Sequence, residues 1–100
     1  MPYRVILHRE ALDEALKAAD YIAEEGSPET ARRWFTELSE KLDSLQTHPH
    51  RCGHARENDH VEDELRQLLH RSHRVIYTVI GQEVHILRIR HQRQDELDTL

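Results

Sequence analysis

The stretch that decides the fold is residues 64–95, E-L-R-Q-L-L-H-R-S-H-R-V-I-Y-T-V-I-G-Q-E-V-H-I-L-R-I-R-H-Q-R-Q-D. It reads as three strands, Leu65 to Arg71, His73 to Ile80 and Glu83 to Arg90, rich in β-branched and apolar residues between turn signals. Ile80-Gly81-Gln82-Glu83 fits a two-residue hairpin turn with glycine at its first central position, as a type II′ turn prefers. Val75 to Ile80 is apolar at almost every position, which predicts a central strand, with Val75, Tyr77 and Val79 supplying core side chains. Strict alternation along the last strand predicts Val84, Ile86, Arg88 and Arg90 on one face and His85, Leu87, Ile89 and His91 on the other.

The same stretch is the chain's charge anomaly. Residues 65–94 carry six arginines against one carboxylate, Glu83, in a chain of net charge -5. A positive sheet on an acidic protein points to a surface that meets an anionic partner. The overall acidity argues against a general nucleic-acid coat protein, so any such partner is met locally.

Working outward, Tyr3 to His8 predicts a further strand. Leu12, Ala15, Leu16, Ala19, Ile22 and Ala23 follow a helical period, and Gly26 is placed to end that helix in a left-handed conformation. Ser27-Pro28-Glu29 opens a second helix with an N-cap serine, a proline at the first position and an acidic first turn. Its stripe is Ala31, Trp34, Phe35, Leu38, Leu42 and Leu45, and it stops before Pro49. The order β-α-α-β-β-β predicts an α+β fold: an antiparallel sheet with a two-helix hairpin packed on one face. One hundred residues make one domain, 1–100, with 92–100 a polar tail. Residues 48–63 show no period and form the longest loop, and its acidic part, Glu57 to Glu64, reads as solvated.

No run has the roughly 18 apolar residues of a membrane span, and the N-terminus lacks the apolar core of a signal peptide. With a single cysteine, Cys52, these features predict a cytoplasmic location and no membrane partner. His48, His50, Cys52 and His54 alternate and would share one side of an extended segment. Imidazole and thiolate suit zinc, but the spacing matches no known structural zinc site, so no metal and no cofactor is expected.

L-R-Q-L (65–68), H-R-V-I-Y-T-V (73–79) and V-H-I-L-R-I-R-H-Q-R-Q-D (84–95), on this element order, resemble the RelE/ParE superfamily of toxins from type II toxin–antitoxin systems. The resemblance covers nearly the whole chain. It implies a growth-inhibiting toxin bound by a small cognate antitoxin. The target would be DNA gyrase for a ParE-like member, or messenger RNA in the ribosome for a RelE-like endoribonuclease. A degenerate member would act only as a binding module. In the RelE-like case the resemblance points to Arg74 and Arg93 as phosphate-holding groups and His91 as the proton carrier. Arg74 alternatively reads as a structural arginine paired with a carboxylate such as Glu64 or Asp95. Arg66, Arg71, Arg74, Arg88, Arg90 and Arg93 are the candidates for target or antitoxin contact. The 65–71 strand has no lysine and the 92–100 tail no tyrosine, departures from the RelE-like nucleases that favour the ParE side and a non-enzymatic action.

Overall fold

A computed structural model of the chain describes residues 2–60 and 64–94. Strand β1 (Arg4–Leu7) leads into helices α1 (Arg9–Glu25) and α2 (Pro28–Ser44), and β2 (Arg66–His70), β3 (His73–Ile80) and β4 (Glu83–His91) follow. The sheet order is β1-β4-β3-β2, so β3 lies inside the sheet as its apolar run predicts. β2, β3 and β4 pair antiparallel, whereas β1 joins β4 in parallel. The sheet is therefore mixed rather than purely antiparallel, because the α1–α2 hairpin and the loop after it return the chain to the far edge.

Alternation along β4 fails at one position. Ile76 faces Arg88 while Tyr77 faces Ile86, leaving Leu87 as an extra residue, a β-bulge. One inserted residue reverses the sidedness of everything after it. Val84, Ile86 and Ile89 consequently enter the same core, although strict alternation separates Ile89 from the other two.

That core lies under the helices, with Val75 and Tyr77 from β3 and Trp34, Leu38 and Leu42 from α2. α1 contributes small side chains, Ala11 and Ala15 with Ala18, Ala19 and Ile22 against them. Leu12 and Leu16, expected on the stripe, are 37% and 48% exposed. The alanines bring the helix backbone close to the sheet, and the longer leucines lie to one side.

Both helix ends explain themselves. The Ser27 side chain accepts the Thr30 N–H at 3.1 Å, completing the N-cap. Gly26 has φ -124°, not the expected left-handed conformation. The chain instead runs directly into the extended Ser27, and a Cβ on Gly26 would stand 3.1 Å from the Ile22 carbonyl oxygen. Gly81 does take positive φ, 59°, in the β3–β4 turn.

The 49–60 loop forms 3₁₀ turns at Pro49–Arg51, beside the helix-side core, and at Arg56–His60, and its second half covers the other face of the sheet. Ala55, Leu65 and Ile76, with Leu87 against them, form a small second core there. Glu57, expected in solvent, is fully buried and grips Arg74, also fully buried, through two bonds of 2.8 and 2.6 Å. A guanidinium on a central strand needs a carboxylate once water is gone, and the loop delivers it. Tyr77 is likewise buried, donating its hydroxyl to the Pro49 carbonyl. Burial holds that phenol well above its ordinary pKa, so it stays neutral.

Candidate partner-binding groove

β1 stops at Leu7, opposite Ile86, while β4 continues to His91. Among the described residues, no strand flanks the outer side of β4 beyond Ile86. A groove enclosing about 1200 Å³ opens there, between that end of β4, the β2–β3 turn and the α1–α2 hairpin. Its walls include Trp34, Tyr21 and Ile22 among aromatic and apolar side chains. Basic side chains border it, Lys17, Arg33, Arg71 and Arg88, against two carboxylates, Glu14 and Glu37; Arg90 is also at its wall, but its cross-strand partner Arg74 puts its side chain on the other face of the sheet. The carboxylates hold two of the arginines in place. Glu14 binds Arg88 Nε and Nη2 at 2.9 and 2.8 Å, and this pairing keeps the guanidinium charged. Glu37 binds Arg71 at 3.0 and 2.7 Å, and the bond to Arg71 lowers the Glu37 pKa. Arg71 sits at positive φ, 54°, in the β2–β3 turn.

Three imidazoles gather at one end around Trp34. His70 stands 5.4 Å and His73 5.2 Å from the indole, centroid to centroid, and His91 lies 5.2 Å from His73. His70 is buried and shares a 3.0 Å hydrogen bond between Nε2 and the Trp34 carbonyl oxygen. Desolvation lowers the pKa of both His70 and His73, with His91 and His70 adding repulsion at His73. For His70, Lys41 and Arg71 push the same way, while the Trp34 bond and Glu37 oppose.

The folded-state pKa thus lies below the unfolded value of roughly 6.5. Above that pH both states carry neutral rings. Below it the unfolded chain takes up protons that the fold refuses, so stability falls as pH drops toward the folded value. Urea midpoints measured from pH 7.5 down to 5 are expected to decline, and a His70→Leu/His73→Leu variant should show a flatter profile over that window.

The expected site residues separate into groups. Arg71, Arg88 and His91 line the groove, with Arg90 at its wall. Arg74 is on the opposite face with Glu57 and Gln67. Its carboxylate partner among the described residues is Glu57 and not Glu64; Asp95, the other expected partner, lies outside the described residues. Arg66, at the far end of β2, binds the Cys52 carbonyl oxygen and Glu64. Arg93 is exposed beyond β4 and offers its backbone N–H to His91 Nδ1 at 3.0 Å. Arg74, Arg93 and His91 are therefore not brought to one place. Sequence reasoning missed the helical half of the groove, Glu14, Lys17, Tyr21 and Arg33. Its one signal was the polar helix surface, which reads as ordinary solvated charge until the sheet is set beside it.

His48 at φ 52° and the Pro49–Arg51 turn break the extended path that would have aligned His48, His50, Cys52 and His54. Among the described residues no group of three or more His, Cys, Asp or Glu is placed to hold a metal ion, and no helix is long and apolar enough to cross a membrane. The 95–100 tail lies outside the described residues.

Residues 5–96 match the family model of the ParE toxin of the type II toxin–antitoxin system, parDE. The chain is similar to a solved structure of the chromosomal ParDE toxin–antitoxin system from P. aeruginosa, with a TM-score of 0.74 and 25% identity, covering 89% of this chain and 95% of that one. A crystal structure of the archaeal RelE–RelB complex from Pyrococcus horikoshii OT3 shares the fold, with a TM-score of 0.53 and 21% identity over 95% of this chain and 100% of that one. No curated protein sequence matches.

Proposed function

Because the chain belongs to the ParE toxin family of type II toxin–antitoxin systems, we propose that it arrests growth in a ParE-like way, by inhibiting DNA gyrase, and that a cognate antitoxin neutralises it by occupying the basic groove. The observation that carries this reading is the groove itself. Basic side chains from α1, α2, the β2–β3 turn and β4 stand with an apolar floor at the end of β4, on an otherwise acidic protein. Such a surface favours an anionic partner with apolar anchors over a bare polyanion. The placement of Arg74 supports the non-nuclease branch, since its guanidinium lies inside the protein with Glu57 and offers nothing to a phosphate.

One observation favours the second reading, ribosome-dependent cleavage of messenger RNA. His73 and His91 stand 5.2 Å apart, centroid to centroid, and line the same groove as Arg88, and imidazole beside guanidinium is a combination that can move a proton and steady a phosphate. Induction in cells, followed in parallel by supercoiling of a reporter plasmid and by mapping of transcript ends, separates the two. The gyrase reading expects lost supercoiling with intact transcripts, and rescue when the product of the neighbouring gene is co-expressed. New transcript ends with normal supercoiling would replace it with the nuclease reading. Growth unaffected by induction would leave a binding module.

A further inference from the structure

On the face of the sheet turned away from the helices, His8 and His85 meet across β1 and β4, with His8 Nε2 2.8 Å from His85 Nδ1. The backbone fixes both positions. Parallel pairing sets Ile6 opposite His85, and the His8 N–H donates to the Ile86 carbonyl oxygen at 3.0 Å, one step further along the same ladder. Two residues beyond Ile6, His8 returns to the side that His85 occupies. The rings stand 5.1 Å apart, centroid to centroid, at 76° to one another, and both are partly exposed.

The hydrogen bonds assign the protons. Glu83 Oε2 accepts from Arg4 at 2.7 Å, and Glu83 Oε1 lies 3.1 Å from His85 Nε2. A carboxylate held by a guanidinium only accepts. His85 therefore carries its proton on Nε2 and turns the lone pair of Nδ1 toward His8. His8 Nε2 supplies the single proton between the two rings.

We infer that this pair is a binding site for a divalent transition-metal ion of the Zn²⁺ class, with His8 Nε2 and His85 Nδ1 as ligands and water in the remaining positions. Imidazole suits such ions. Two nitrogens bound to one tetrahedral ion at about 2.0–2.1 Å lie about 3.3 Å apart, so the rings need to separate by only about half an ångström. Glu83 supplies the outer support: a metal-bound imidazole characteristically donates its other N–H to a carboxylate, which fixes ring and tautomer. The proton balance is simple. The ion takes the place of the shared proton, which passes through water to His8 Nδ1, so both rings stay neutral and no net proton is released. The ligands are 77 residues apart, so no local spacing marks them, and the bound ion would staple the junction of β1 and α1 to β4. The site is independent of the function proposed above.

The test uses the full chain, stripped with EDTA, and Zn²⁺ as the probe. Zn²⁺ should raise the melting temperature, EDTA should reverse the rise, and ¹⁵N NMR of the imidazoles should show His8 Nε2 and His85 Nδ1 shifting first. His8→Gln and His85→Gln should each abolish the Zn²⁺-dependent rise. Glu83→Gln should weaken Zn²⁺ binding by about ten- to a hundred-fold, with a melting temperature in EDTA close to that of the parent. Cu²⁺ should bind more tightly than Zn²⁺. A purely structural hydrogen bond between the rings predicts lower melting of the variants in EDTA and no response of the parent to Zn²⁺. That result overturns the inference. So does a Zn²⁺ response that survives both Gln variants, or one whose NMR shifts fall on His70, His73 and His91 or on His48, His50 and His54 instead. If the Gln variants fail to fold, the imidazole shifts of the unaltered chain decide.

Discussion

Arg74→Ala is expected to destabilise the protein by about 3–5 kcal/mol, because it leaves the Glu57 carboxylate buried without its partner. Both side chains have no solvent exposure and meet through two bonds. A domain of this kind has roughly 5–15 kcal/mol of stability in total, so the variant approaches the unfolding threshold. The urea midpoint should fall sharply with little change in slope, since the surface exposed on unfolding is nearly the same. Replacing the pair together, Arg74→Met with Glu57→Leu, should recover most of the loss, as apolar substitutes of similar size often do. If the double variant is no better than the single, the pair does more than neutralise itself, and its role in fixing the Arg56–His60 turn on the sheet becomes the explanation.

Trp34→Ala is expected to cost about 3–5 kcal/mol through the lost transfer energy of the indole and the cavity left behind. The indole is almost fully buried and packs between the core and the rings of His70 and His73. Its removal should also move a second observable. Water entering the cavity relieves the desolvation that holds both imidazoles below their ordinary pKa. The loss of stability below pH 6.5 should then become shallower in the variant. NMR titration of the two histidines, with and without the substitution, checks this directly. A large loss of stability with unchanged histidine titration would mean that the cavity closes without hydration.

Much of the layout was legible because its signals are local. The Ser27-Pro28-Glu29 start of α2, the glycine at the β3–β4 turn and the apolar run of β3 each rest on chemistry within a few residues. The features that escaped depend on contacts distant in sequence. Nothing near Glu57 marks it as the partner of Arg74, because an acidic run with a buried member looks like one without. The stripe on α1 was misread since leucine outweighs alanine in any hydrophobic count, yet close approach to the sheet selects the smaller side chain. The groove was half visible. Arg71, Arg88, Arg90 and His91 stood out as basic residues on strands, whereas Glu14 and Arg33 acquire meaning only when the helical hairpin lies over the sheet end.

The extra residue at Leu87 has a consequence for how the last strand can change. It acts as a phase shifter between two segments with opposite rules. Before it, odd-numbered positions such as His85 look away from the helices. After it, the odd-numbered Ile89 enters the core beneath them. The segment that anchors the sheet and the segment that borders the groove are thus uncoupled in register, and either can be rewritten without disturbing the other's inward and outward sense. A deletion of that single residue would do what no point substitution does: it would turn the β4 side of the groove inside out.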